Sequence, residues 1–177
     1  GLRKIDAGTW TISGANTYSG TTDIGTAGGA AAGTLTLGAN NVLPGTAVNI
    51  YGGTLNVNSR TDTIGALTLG GGASGTTASI STTTGVLTLG GNLTYDATNN
   101  PNGATITTSS TGGIGLGANR TFTIGDSSAA ATDLSISARI SGTGFGITKS
   151  GTGTLALSGA KTYTGATTIS QGTLQLD

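Results

Sequence analysis

A phrase of five or six residues returns through this chain, and it restricts the fold more than any other feature. It reads Gly33-Thr34-Leu35-Thr36-Leu37-Gly38, then Gly53-Thr54-Leu55-Asn56-Val57, then Gly65-Ala66-Leu67-Thr68-Leu69-Gly70. It comes back as Gly85-Val86-Leu87-Thr88-Leu89-Gly90, Gly153-Thr154-Leu155-Ala156-Leu157 and Gly172-Thr173-Leu174-Gln175-Leu176. In every copy the two large apolar residues stand two apart. A strand alternates its side chains, so the apolar pair shares one face and Thr, Asn, Ala or Gln takes the other. Looser copies put Phe122 with Ile124 and Leu134 with Ile136. Gly, Asn, Asp or Ser stands at nearly every join, the punctuation of short strands. No segment has the three-four apolar spacing or the capping signals of a helix.

A longer copy overlies the short one. Gly1–Ile24 aligns without a gap on Gly146–Ile169, with 12 of 24 positions identical, and both run on to a Gly-Thr-Leu strand. The first copy carries an extra stretch, Gly25–Ala32, expected to bulge out as a loop. The alignment sets Trp10 on Leu155, which predicts that the single Trp is a buried wedge in a core position. Tyr18 and Tyr163 are equivalent, each two residues before a Gly, and are expected to pack at a corner.

Short one-sided strands can build a sandwich, a propeller or a solenoid. The apolar pairs here are irregularly spaced, unlike those of blades or sandwiches. The apolar residues are small aliphatics, which suit a narrow core of stacked coils. Asn102-Gly103 is the only dipeptide of the type that makes two-residue hairpins, and parallel neighbours need none. The expected fold is therefore all-β, a right-handed parallel β-helix (β-solenoid) over residues 1–177 in one segment. At roughly 20–25 residues per coil it makes about seven to nine coils, with Thr and Asn ladders outside. The strongest repeat copies are 1–45 and 146–177.

Composition narrows the function. Seven Lys or Arg balance seven Asp, and charged residues make up only 8%. With no basic stripe and few aromatics, nucleic acid is not an expected partner. No apolar run reaches the ~20 residues of a membrane helix, and the scattered aromatics do not form the girdles of a membrane barrel, so membrane insertion is not expected. Cys is absent, which suits passage through an oxidising compartment. The sequence opens on Gly1 without an initiator Met or a signal peptide, as a processed piece or a fragment would.

The run from Gly151 to Leu176, containing Gly153-Thr154-Leu155-Ala156-Leu157-Ser158-Gly159 and Gly165-Ala166-Thr167-Thr168-Ile169, resembles the passenger-associated β-strand repeat of autotransporters. Gly8–Ile24, followed by Gly33–Leu37 and Gly38–Gly45, resembles it too. The resemblance implies a β-helical passenger, exported through the envelope with the help of an outer-membrane translocator barrel. It also implies an extracellular or cell-surface location, and a repeat that is structural and export-assisting rather than catalytic.

Chemistry is sparse. Without His or Cys, the Ser-His and Cys-His nucleophile pairs are excluded, and soft metal sites lose their usual ligands. Asp126 and Asp133, with Arg120 and Arg139 nearby, are the one grouping readable as an acidic-polysaccharide site; turn-forming Asx residues are the favoured reading. No catalytic, cofactor-binding or metal-binding residue is assigned, and no cofactor is expected. Asn92-Leu93-Thr94 and Asn119-Arg120-Thr121 match the glycosylation pattern, as chance matches do in Thr-rich sequence. The expected role is a stalk, spacer or fibre unit, with an adhesin face as the alternative and a polysaccharide-active enzyme third. Neither end reads as a cap. End-to-end self-association, or continuation of the solenoid in a longer parent chain, is therefore expected.

Overall fold

The structure, a computed structural model, describes Gly1–Asp177 throughout. Its secondary structure is entirely strand and turn. Sheet A stacks Leu2–Lys4, Thr22–Ile24, Val48–Ile50, Leu67–Gly70, Leu93–Asp96, Arg120–Ile124, Ile147–Ser150 and Thr167–Ile169 in that order. Sheet B stacks Thr9–Ile12, Thr34–Leu37, Gly53–Asn58, Ala78–Thr82, Ala104–Thr108, Leu134–Ile136, Thr154–Leu157 and Thr173–Leu176. Sheet C has five strands: Thr61–Ile64, Val86–Leu89, Gly113–Leu116, Arg139–Gly142 and Lys161–Tyr163. Every pairing is parallel. The chain passes through A, B and, from the third coil on, C, then returns to A one rung further along.

This is the parallel β-solenoid that the one-sided strands predict. The coil count needs a small correction. Sheets A and B have eight rungs, but sheet C has five, so fewer coils than expected carry a strand on every side. In the first two coils the third side is the irregular backbone of Ser13–Gly20 and Gly38–Ala47. Asn and Pro there break the alternation that a strand requires.

Thirty-one buried apolar residues form one continuous core along the rod. The apolar pairs read from sequence lie in it: Leu35/Leu37, Leu55/Val57, Leu67/Leu69, Leu87/Leu89, Phe122/Ile124, Leu134/Ile136 and Leu155/Leu157. Equivalent pairs do not share columns, however. Leu35 stacks through Leu55, Ile80, Ile106 and Ile136 onto Leu157, whereas Leu155 sits on Leu134, Ala104 and Ala78. The core has drifted by two residues along the strand. A bulge at Asn56/Asn58 marks one place where the register shifts, with Asn58 at φ 56°. A two-residue slip keeps the same face inward, so it costs no burial; a one-residue slip would expose the whole set.

Two expectations fail at the outermost rungs. Trp10 is not a buried wedge: it is 41% exposed, because Thr9–Ile12 pairs with a neighbour on one side only. Leu176 faces the core side in register with Leu157, yet is 62% exposed for the same reason, and Leu174 is half-buried. The Thr ladders are also discontinuous. Side chains of neighbouring rungs bond at Thr54–Ser79 (2.7 Å) and Thr123–Ser150 (3.0 Å), and Asn49 donates to Asp23 at 2.8 Å.

Candidate functional site

Chemistry on this rod can come only from the corners and from the polar groups inside. The corner from sheet A to sheet B is the most elaborate. Its connections are long in the second, fourth, fifth and sixth coils (25–33, 71–77, 97–103 and 125–133) and short elsewhere. The long ones stack into a ridge. Gly28 N–H donates to the Gly71 carbonyl and Ala73 N–H to that of Gly29, both at 2.8 Å, which joins the second coil to the fourth. The third coil turns beneath them at Gly52, where an added Cβ would lie 3.2 Å from Thr76 Cβ and 3.3 Å from Ala31 Cα. The stretch Gly25–Ala32 is thus a loop, as expected, and it is held down by its neighbours.

Further along the ridge Asn100, at φ 57°, points its Oδ1 at Ser127 Oγ (2.8 Å), Ser128 Oγ (3.1 Å) and the Ala129 N–H (3.0 Å). Tyr95 is the large side chain under this loop. Its hydroxyl accepts from Gly103 N–H at 3.1 Å and donates to the Pro101 carbonyl at 3.3 Å. Burial pushes the phenol above its ordinary value of 10.0. The folded form therefore keeps its proton where the unfolded chain loses it. This stabilisation is full below pH 10 and fades as pH rises through the folded value. Tyr95→Phe should lower stability by about 1–3 kcal/mol, since a buried N–H loses its partner. It should also flatten the loss of stability above pH 10, read by chemical denaturation across a pH series.

The grouping of Asp126, Asp133, Arg120 and Arg139 does not converge. Asp133 is buried, with Oδ1 accepting from Ser127 N–H (2.7 Å) and Oδ2 from Thr154 N–H (2.8 Å), so it clamps the sixth-coil loop. Asp126 is exposed on that loop. Arg120 starts a strand of sheet A and donates Nε to the Leu89 carbonyl at 3.0 Å, while Arg139 starts a strand of sheet C. The two arginines lie beside sheet C, across the rod from the ridge. Asp133 is not the turn-forming Asx residue expected from sequence: its carboxylate binds backbone 6 residues before it and 21 after it, not two residues on. Asn92 and Asn119 are engaged as well, their Oδ1 atoms accepting from Thr121 N–H (3.0 Å) and Gly146 N–H (2.8 Å) one coil on. Asn40 does the same for Thr61.

Sequence reasoning missed two buried lysines. Lys4 and Lys149 are equivalent in the long alignment and both are fully buried. Lys149 Nζ donates to the carbonyls of Ser150 (3.0 Å), Gly151 (2.7 Å) and Gln171 (3.0 Å), which uses all its protons. Gly172, at φ 74°, leaves the space: a Cβ there would stand 2.7 Å from that nitrogen. Burial lowers the Lys149 pKa, opposed by the charge of Asp133. Lys4 donates to the Asp6 carbonyl and lies 5.4 Å from the Trp10 ring centroid, a cation–π contact. The tyrosine pair is also a shared device. Tyr18 meets Thr22 Oγ1, and Tyr163 meets Thr167 Oγ1, each at 2.6 Å.

The same two segments are picked out by comparison with known families. A family model described as the passenger-associated-transport-repeat matches residues 2–29 and 147–176, together about a third of the chain. The chain thus carries two segments that match the passenger-associated-transport-repeat. No curated protein and no solved structure matches it. Each passenger-associated transport repeat therefore contains one buried lysine and one tyrosine–threonine corner. The repeats sit at the two ends of the same pair of sheets, and less regular coils of the same style fill the space between them.

Proposed function

We propose that this chain is a structural segment of an autotransporter passenger, a stalk or spacer carried outside the cell, and not a catalyst. One observation carries the reading most: two passenger repeats are built into a single continuous core, so their apolar residues serve the rod itself. The polar groups buried within it bind backbone. Asp133 and Lys149 are buried and hold loops and corners through the backbone groups they bind.

The outermost rungs bear on partners. Ile5 and Trp10 are exposed beside one terminal rung, Ile169 and Leu176 beside the other. We propose that each is covered by a further coil, from the same polypeptide or from a second copy stacked end to end, after export through a translocator barrel. The ridge favours a second reading, adhesion, because irregular loops on a rigid scaffold are where binding residues collect.

Display of the chain on a Gram-negative surface behind a translocator barrel separates the two readings. The spacer reading expects an epitope fused before Gly1 to stay accessible on intact cells when residues 66–91, one coil, are excised. Retention of the cells on a glycan array that is lost with ridge substitutions would establish adhesion instead.

A further inference from the structure

The neutral net charge conceals a separation of charge across the rod. Lys4, Lys149, Asp23, Asp62 and Asp133 are buried, and Arg3 pairs with Asp23 at 3.6 Å in the single salt bridge of the structure. The other cations all border sheet C. Arg60 precedes its first strand, Arg139 and Lys161 begin its fourth and fifth, and Arg120 follows its third at the corner into sheet A. Three of the remaining acids, Asp6, Asp96 and Asp126, lie on the opposite edge, where sheet A turns into sheet B. The guanidinium Nε atoms of Arg60 and Arg139 are buried with no hydrogen-bond partner.

We infer that these rods pack side by side, sheet C of one copy against the A-to-B edge of a second copy. Charge complementarity selects the occupant, because the edge supplies the carboxylates that the cations lack within their own chain. The levels also agree. Arg120, Asp126 and Arg139 belong to the same coil, and Asp96 lies one rung away, about 4.8 Å along the axis. A neighbour translated sideways in the same orientation brings Asp96 and Asp126 level with Arg120 and Arg139. Zero net charge leaves no overall repulsion against this. Single exposed ion pairs are weak, so the contact depends on several acting together. It joins unlike surfaces, and a raft of rods grows from it.

Static light scattering on the 177-residue chain tests this. At about 0.01 M salt, where the screening length is about 30 Å, apparent mass should rise with protein concentration; at about 0.15 M, where it is about 8 Å, most of the rise should vanish. Arg120→Glu/Arg139→Glu and Asp96→Lys/Asp126→Lys should each stay monomeric, and their equimolar mixture should associate at least as strongly as the native chain. A control carries Arg120→Gln, Arg139→Gln, Asp96→Asn and Asp126→Asn, which remove both charged surfaces, together with Thr34→Glu, Thr36→Glu, Thr105→Glu and Thr107→Glu on sheet B, so that it has the net charge of the Glu variant but placed away from sheet C. It should not associate with the Lys variant. Association insensitive to salt, or equal association by the control, overturns the inference. Monomeric native chain that binds an acidic polysaccharide column through the same arginines overturns it too, by giving those cations a different partner.

Discussion

Leu157→Asp should unfold the chain at temperatures where Ala156→Asp leaves it intact. Leu157 is 1% exposed and stacks between Ile136 and Leu176; its neighbours in the core are aliphatic. A carboxylate there loses its water and gains no partner, a mechanism that gives changes of about 4–5 kcal/mol or more. For a chain of this length that is roughly 10–20 °C in Tm. Ala156 points outward between Ser135 and Gln175, so its change should stay within about 0.5 kcal/mol. Thr154 also points outward but is the poorer control. Its N–H is bound to the Asp133 carboxylate, and an Asp at that position would bring two like charges together. Equal loss in the Leu157 and Ala156 variants would show that the strand register is wrong.

Asp62→Ala should cost about 3–5 kcal/mol, a large effect for a single polar residue of a strand. Asp62 faces inward in the column of Leu87, Ile114 and Ile140, at the outermost strand of sheet C. No further strand covers that side. The carboxylate supplies the missing acceptors: Oδ2 takes the N–H groups of Val42 (2.8 Å) and Leu43 (3.1 Å), and Oδ1 takes that of Thr63 (2.8 Å). Removing it leaves three donors without partners, each worth about 1–3 kcal/mol before the loop relaxes. Asp62→Asn keeps an acceptor oxygen and should recover a good part. Denaturant unfolding gives the stability, and hydrogen exchange should show protection lost first at Val42 and Leu43. Equal stability of the Ala and Asn variants would mean that the acceptor is not what holds this loop.

These two residues mark what could be read in the sequence and what could not. The inward face of Leu155/Leu157 follows from alternation alone, since a period of two leaves each side chain one choice of face. Asp62 gives no such signal: it sits in Thr61–Ile64 like any polar residue of a strand, and its partners are twenty residues away. The lysines were half legible. Their equivalence in the long alignment is visible, but the three carbonyls around Lys149 come from two coils, and only stacking brings those together. Trp10 misled because repeat equivalence predicts which way a side chain faces, not whether a neighbour covers it. The two-residue drift of the core was hidden for a similar reason, since Leu35/Leu37 and Leu155/Leu157 present the same local pattern in either register. The opposed charge edges needed the assignment of each corner to a side of the rod, which no spacing rule gives.

The central claim, one parallel solenoid with one rung per pass, can be measured as a length. The chain has no Cys, so introduced pairs can be spin-labelled specifically. Thr34, Ser135 and Gln175 belong to one outward column of sheet B, with Thr54, Ser79, Thr105 and Ala156 between them. Pulsed electron paramagnetic resonance on Thr34→Cys/Ser135→Cys should give about 19 Å, four rungs at about 4.8 Å, and on Thr34→Cys/Gln175→Cys about 29 Å, six rungs. Each is broadened by the label but in the ratio of the rung counts. Distances that do not grow with rung number, or a second pair closer than the first, would contradict the solenoid and everything argued from its register.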